Sequence, residues 1–417
     1  MYSTGNIHLL YVSDPDIVKE VNLHKSFDLG KPSYLKEERG PLFGEGILTA
    51  NGLIWAHQRK TIAPQFFMDK VKGMVDIMVE SAIPLLKSWE SRIDEVGGIA
   101  DIRVDEDLRS FSADVISRAC FGSSYSRGKE IFSRIRALQH AMSESSLLFG
   151  VPGLRYLPTK NNRKIWGLVK EVRSLILNIV NERRKELHSR PEDLLQTILE
   201  GSKADHIKPD AIDAFVVDNC KNIYFAGHET TANAATWTLM LLAHNTEWQD
   251  RARAEVAELC GGSPPDVDTI RKMKVVTMVI QESLRLYPPA AFLVREALTA
   301  MKLGGMRLPK GIKLWIPIQT LHQNPEIWGH DSFEFNPERF ANGISNACKH
   351  PHVYMPFGLG SRICLGQNFA MVELKMIISM ILGRFTFAIS PHYRHSPAFR
   401  LSVEPKHGVS LLISRNS

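Results

Sequence analysis

Several things are scarce in this 417-residue chain, and each scarcity excludes something. No apolar run approaches the ~20 residues that span a bilayer, and the opening Met1-Tyr2-Ser3-Thr4 has no signal-peptide pattern. There are only five cysteines, Cys120, Cys220, Cys260, Cys348 and Cys364. Their odd number and wide spacing exclude a disulfide framework and a zinc motif. No repeat, low-complexity tract or linker rich in Pro, Gly or Ser divides the chain, so one domain over residues 1–417 is the simplest organisation. Positive charge barely exceeds negative, 51 Lys+Arg against 45 Asp+Glu. No basic stretch interleaved with aromatics suggests nucleic acid. The small excess suits an acidic redox partner or an anionic membrane surface, and equally an ordinary solvated surface.

What is present is helical periodicity, broken by short β-like runs at Ile7 to Val12, around Met306 to Ile318, and toward the C-terminus. The expected class is mainly α with a small β portion. The longest helix is predicted from Lys208 to about His244, with Pro209 in its first turn. A second is predicted from Val267 to Leu286, stopped by Pro288 and Pro289. Pro325 to Phe340 carries turn signals without periodicity and is expected to be irregular.

Phe357-Gly358-Leu359-Gly360-Ser361-Arg362-Ile363-Cys364-Leu365-Gly366 holds the most specific chemistry. One cysteine sits in a glycine-rich loop ahead of an apolar helix, predicted over about Gln367 to Leu382. Backbone N–H groups freed by Gly358, Gly360 and Gly366, with the positive end of that helix, favour a thiolate. Such a thiolate is suited to haem iron, which makes Cys364 the candidate metal ligand. Arg362 lies two residues away, within reach of a haem propionate.

Three other clusters are readable from the residues. In the long helix, Ala226 and Gly227 lack bulk, so a flat macrocycle carrying O₂ has room there. Thr230 and Thr231 tend to bond back to the preceding turn, and Glu229 with Thr230 forms an acid and alcohol pair suited to passing protons. Glu282 and Arg285 share a helix face at i, i+3, as Trp55 and Arg59 do at i, i+4.

The cysteine loop fills every fixed position of Phe-x-x-Gly-x-Arg-x-Cys-x-Gly, and so resembles the haem-binding signature of the cytochrome P-450 superfamily. The resemblance extends to the Ala226–Thr231 oxygen-activation motif, to Trp55-x-x-x-Arg59, to Glu282-x-x-Arg285 and to Pro337-Glu338-Arg339-Phe340. It runs from about Ile7 to the C-terminus. It implies haem b between the long helix and the cysteine-loop helix, with Cys364 as axial ligand and Phe357, Gly358 and Gly366 in its loop. Trp55, Arg59, Arg295 and Arg362 would meet the propionates. Glu282, Arg285 and Arg339 would form a structural triad. The pocket would draw on Leu42, Phe43, Ile47, Leu48, Phe225, Ala290, Ala291, Phe292 and Leu293, and Leu147 to Leu154 would face the membrane, line a channel or be buried.

The implied activity is a monooxygenase using O₂, a small hydrophobic substrate and electrons from an NADPH-dependent flavoprotein reductase. Eukaryotic members usually begin with a membrane anchor, so the expectation is a chain lacking that anchor and the first helix, from a protein on the cytosolic face of the endoplasmic reticulum membrane. Phe27-Asp28-Leu29-Gly30-Lys31-Pro32-Ser33-Tyr34 and Ile47-Leu48-Thr49-Ala50-Asn51-Gly52 are similar to plant members, nearest to those that oxidise gibberellins. A triterpenoid, brassinosteroid or fatty acid is the alternative substrate. An oxygen-independent isomerase or dehydratase and a non-catalytic haem-binding protein are the competing functions.

Overall fold

The 33-residue helix Ile212–His244 is the axis around which the other elements are arranged. Nearly all its residues from Val216 to Ala243 are buried, so it is apolar or hydrogen-bonded all round and not amphipathic, as expected of a helix enclosed by others. It packs on helices Val104–Phe121, Gln367–Leu382 and Val275–Leu286. The computed structural model describes all residues except 1, 5–6, 25–26, 123–124, 145–152, 154–155, 186–192 and 417. The expected membrane or channel loop Leu147 to Leu154 lies, apart from Gly153, outside the described residues.

The β content is minor and peripheral. A five-stranded sheet is ordered Tyr2–Thr4, Ile7–Tyr11, Lys313–Ile316, Leu293–Ala297, Leu29–Gly30. In it Ile7–Tyr11 runs parallel to Lys313–Ile316, with Leu9 opposite Lys313, and the other pairs are antiparallel. A three-stranded sheet sets Ser410–Arg415 between Ile99–Arg103 and Phe385–Ile389. The first sheet places Arg295 in the middle of a strand, opposite Leu314, with the following Glu296 and Ala297 paired on the other side to Gly30 and Leu29.

Element boundaries depart from expectation where tertiary contacts intervene. The predicted helix Val267 to Leu286 is two helices, Val267–Lys272 and Val275–Leu286. Glu255, from helix Thr246–Cys260, accepts the N–H groups of Lys274, Val275 and Val276 at 2.6, 2.8 and 2.9 Å. These are donors without partners in the first turn of a new helix, and an outside carboxylate satisfies them. The long helix begins as a 3₁₀ turn at Pro209–Ala211 before Ile212. The irregular stretch Pro325 to Phe340 contains a short helix, Pro325–Trp328, capped by Asn324, and a 3₁₀ turn, Pro337–Phe340.

Candidate haem and oxygen site

The cysteine loop is fixed by its own backbone. Cys364 N–H donates to the Phe357 carbonyl at 2.8 Å, and Gly358 N–H to that of Met355 at 2.9 Å. Gly358 and Gly360 take φ of 72° and 69°, the left-handed region that favours glycine. Gly360 is further constrained because a Cβ there would meet the Asn22 carbonyl oxygen at 1.7 Å. Its role is to seat the loop on helix Pro15–Leu23, not to bring an N–H to the sulfur as expected. That bond comes from Gly366 N–H. A Cβ at Gly366 would meet nothing within 4 Å, so no protein atom demands the glycine; the open side suits a flat group lying against it. Helix Gln367–Leu382 then starts where predicted.

Cys364 retains accessible surface, yet burial raises its thiol pKa, opposed by the Gly366 N–H and the Arg59 charge. Together these place that surface inside the protein. Arg59 acts on Cys364 directly, and Arg362, two residues before it, adjoins Arg59, Arg295 and Lys31. Burial holds Arg362 down to about 9, with the charges of Arg295 and Arg59 adding to the effect. Burial lowers Arg295 to about 10 and pushes Lys31 well below its ordinary value, with Arg295 and Arg362 contributing. No carboxylate pairs with any of the four among the described residues. Arg59 donates to the Ile363 carbonyl at 2.9 Å, and Arg362 to Asn51 Oδ1 at 2.8 Å. The Arg362 and Arg59 guanidinium carbons lie 4.2 and 5.8 Å from the Trp55 ring centre. Buried like charges repel unless an anion joins them, so the cluster fits a haem carrying two propionates. Lys31 and Asn51 were not anticipated by role; nothing in their local sequence separates them from loop residues.

The long helix, packed on the helix that follows the cysteine loop, carries the second expected cluster. In its buried run it opens at Ala226, Gly227 and Thr230, of which Ala226 and Thr230 are one turn apart on the same face. Thr230 Oγ1 donates to the Ala226 carbonyl at 2.6 Å, the back-bond expected there. Gly227 has a second reason to be glycine, because a Cβ would meet Ile116 Cδ1 at 2.5 Å where the helix crosses Val104–Phe121.

Glu229 and Thr230 are not joined as the expected acid and alcohol pair. The Glu229 carboxylate is 1% exposed and accepts from Arg136 at 2.9 Å and from Arg109 at 3.4 Å. Burial would raise its pKa, but His228, Arg109 and Arg136 together outweigh this and hold it low. Arg109 also pairs with Asp105 at 2.7 Å and Glu404 at 3.5 Å, so Glu229 belongs to a buried ionic cluster. Its partners lie some hundred residues away in sequence and leave no local signal.

The triad assembles as expected. Arg285 donates to both oxygens of Glu282 at 2.7 Å, and Arg339 Nε lies 3.4 Å from Glu282 Oε1. The guanidinium groups also take up backbone carbonyls: His322, at the end of helix Ile318–His322, with Ser332 and Glu334 of the irregular stretch for Arg285, and Trp328 and Asp331 for Arg339. His322, not anticipated, carries the connection onward. Its Nδ1 faces the Arg285 carbonyl at 3.2 Å and its Nε2 accepts Met355 N–H at 3.0 Å, at the base of the cysteine loop. Burial lowers its pKa to about 3, so it stays neutral and satisfies both groups with its proton on Nδ1.

Of the expected pocket residues, Phe43, Ala290, Ala291 and Phe292 line one pocket of about 180 Å³. Phe225 reaches it through Phe43, their ring centres 5.2 Å apart. Leu42 and Ile47 are instead buried in the main core. A larger cleft of about 390 Å³, walled by Ser13, Asp14, Asn324 and Glu326, shares no residue with the site.

An α-rich chain with a glycine-framed cysteine below, an opened helix above and unpaired cations at the side defines a haem-thiolate enzyme. The sequence model of the cytochrome P450 family matches residues 1–412, and the chain belongs to that family. It is similar to "Cytochrome P450 714C2" of Oryza sativa subsp. japonica, 58% identical over 99% of this chain and 79% of that one. It is 54% identical to "Cytochrome P450 714B3" of Zea mays over 99% of this chain and 77% of that one. For "Cytochrome P450 714A2" of Arabidopsis thaliana the identity is 47%, over 99% of this chain and 80% of the other. A solved structure, "Crystal structure of cytochrome P450DA heme domain", superposes with a TM-score of 0.82 at 24% identity, covering 98% of this chain and 88% of that one. That likeness shows the fold. The enzyme is a haem-thiolate monooxygenase.

Proposed function

We propose that this monooxygenase hydroxylates or epoxidises a gibberellin-type diterpenoid acid, as one catalytic domain fed by an NADPH-dependent flavoprotein reductase on the cytosolic face of the endoplasmic reticulum membrane. The substrate reading rests on the resemblance to gibberellin-oxidising members and on the similarity to the plant 714 relatives. Among the described residues no helix is long and apolar enough to cross a membrane; the membrane reading rests on the family alone.

Bound haem supplies reductive activation of O₂ and transfer of one oxygen atom to a C–H or C=C bond. Cys364 would provide a thiolate to the haem iron, supported by Gly366 N–H. Arg59, Arg295, Arg362 and Lys31 would take the propionates, with Trp55 beneath the guanidinium groups of Arg59 and Arg362. Phe357 and Gly358 hold the loop's shape. Ala226 and Gly227 would leave room beside the group, on the open face of the long helix, and the Thr230 hydroxyl, which rests as a donor to the Ala226 carbonyl, would turn from it to offer its proton there. Glu229 keeps Arg109 and Arg136 neutralised beside that face, and passes a proton only by leaving them. Glu282, Arg285 and Arg339 carry no chemistry and fix the backbone beneath the loop.

The convergence of four wholly or partly buried cations without a paired acid, reaching Cys364 through Arg59 and Arg362, carries the haem reading. A reduced carbon-monoxide difference spectrum on the haem-loaded chain tests it: a thiolate-type band is expected, and its replacement by an imidazole-type band overturns the assignment. Turnover of a gibberellin panel with a plant reductase tests the substrate. Oxidation of a triterpenoid or fatty acid with every gibberellin untouched overturns that part.

A further inference from the structure

The 180 Å³ pocket holds a feature that a purely apolar ligand does not explain. Its walls are apolar at Phe43, Ala291, Phe292 and Phe399, yet they include Arg39 and Tyr34. Arg39 follows the short helix Ser33–Glu38 and is half-buried. Its neighbour Lys36 pairs with Glu45, but the Arg39 side chain has neither an ion pair nor a hydrogen bond among the described residues. The adjacent Glu38 acts on it only through its charge, and burial lowers its pKa. Beside it, burial pushes the Tyr34 phenol up to about 12, so Tyr34 stays neutral and adds no negative charge next to Arg39. A half-buried cation costs desolvation that an anion offsets, and a guanidinium with a phenol is the donor set a carboxylate takes.

We propose that Arg39, with Tyr34 beside it, binds the carboxylate of the substrate and makes the enzyme selective for carboxylic acids. The inference deepens the substrate reading above and rests on this pocket being the substrate's. The volume is below the ~300 Å³ at which whole-ligand pockets begin, so the pocket takes the acid end of the molecule. The rest has a defined direction. Asn222 Nδ2 donates to the Phe43 carbonyl at 2.8 Å, and the Phe43 ring rests on Phe225, the residue before Ala226. On the other side Ala291 and Phe292 lead into the strand that carries Arg295. An acid anchored at Arg39 therefore extends its apolar body toward the opening of the long helix, and the distance from carboxylate to reacting carbon selects the position oxidised.

The test uses the haem-loaded chain, following the substrate-induced shift of the haem absorption with a tetracyclic diterpenoid acid and with its methyl ester. Wild type should bind the acid more tightly. Arg39→Gln should weaken the acid by about 10- to 100-fold, the loss of a charge-assisted pair, while moving the ester by about twofold or less. Arg39→Lys should recover part of the acid affinity. An intact carbon-monoxide spectrum shows that each variant is folded. Equal binding of acid and ester by wild type, or an equal loss of both in Arg39→Gln, overturns the proposal. The wild-type comparison stands even if no variant takes up haem. If diterpenoids give no shift, a long-chain fatty acid and its ester decide. Acid preference that Arg39→Gln abolishes upholds the carboxylate site and overturns the diterpenoid reading, whereas no acid preference on either scaffold overturns the site.

Discussion

Arg136 Nη1 sits 2.9 Å from Glu229 Oε1, and this contact, with Arg109 on the same oxygen, turns an expected proton carrier into part of a buried ionic cluster. Removing the Glu229 charge leaves Arg136 without its short partner, while Arg109 keeps Asp105 and Glu404. Glu229→Gln should therefore lower unfolding stability by about 3 kcal/mol, the lower end for breaking a buried pair. Denaturant unfolding of the two forms measures it. A variant as stable as wild type with impaired turnover would restore Glu229 to the chemistry.

Thr230→Ala isolates the hydroxyl on the open face. Its bond to the Ala226 carbonyl is local, so the stability change should be about 1 kcal/mol or less. If the hydroxyl holds a proton for O₂ cleavage, NADPH use per product should rise and peroxide should appear. The ratio of product to NADPH consumed is the readout, and an unaltered ratio removes Thr230 from that role.

Elements whose cause is local were legible. Helix Gln367–Leu382 begins at its glycine and runs as far as its apolar pattern, and spacing put Glu282 and Arg285 on one helix face, although their burial and structural role came from the resemblance. Arg339 was placed by resemblance, since its Glu282 contact spans an irregular stretch. What failed to show has a distant cause. The break after Lys272 is made by Glu255, glycine at 227 is demanded by Ile116, and glycine at 360 by Asn22. Lys31 and Arg39 become notable only because no acid meets them in three dimensions, and an unpaired cation leaves no mark in a sequence.

Arg285→Lys tests the structural triad. Arginine joins both Glu282 oxygens and three backbone carbonyls in one planar group, geometry that an ammonium cannot reproduce. With both partners 0% exposed, the loss should be about 3–5 kcal/mol, a large fraction of the ~5–15 kcal/mol by which ordinary domains are stable. The expected outcome is little soluble protein and no haem uptake, read from expression yield and the carbon-monoxide spectrum. Normal uptake by Arg285→Lys would mean that the cysteine loop is held by other contacts.

Glu373 sets a pH dependence of stability. It is fully buried on the cysteine-loop helix, and neither carboxylate oxygen has a hydrogen-bond partner among the described residues. Ser112 is near enough to lower its pKa slightly, but its hydroxyl donates to the Gly227 carbonyl. Burial dominates and raises Glu373 from 4.5 to about 8. The folded protein thus keeps this proton up to about pH 8, whereas the unfolded chain releases it from pH 4.5 upward. Between those limits the folded state binds more protons, so stability falls as pH rises, by on the order of 3 kcal/mol at neutrality, and levels off above the folded pKa. Glu373→Gln cannot ionise, so the stability difference between variant and wild type should grow in the variant's favour across that window. Unfolding midpoints measured from pH 5 to 9 give the comparison, and parallel curves would show that Glu373 is ionised in the fold with a partner that this arrangement lacks.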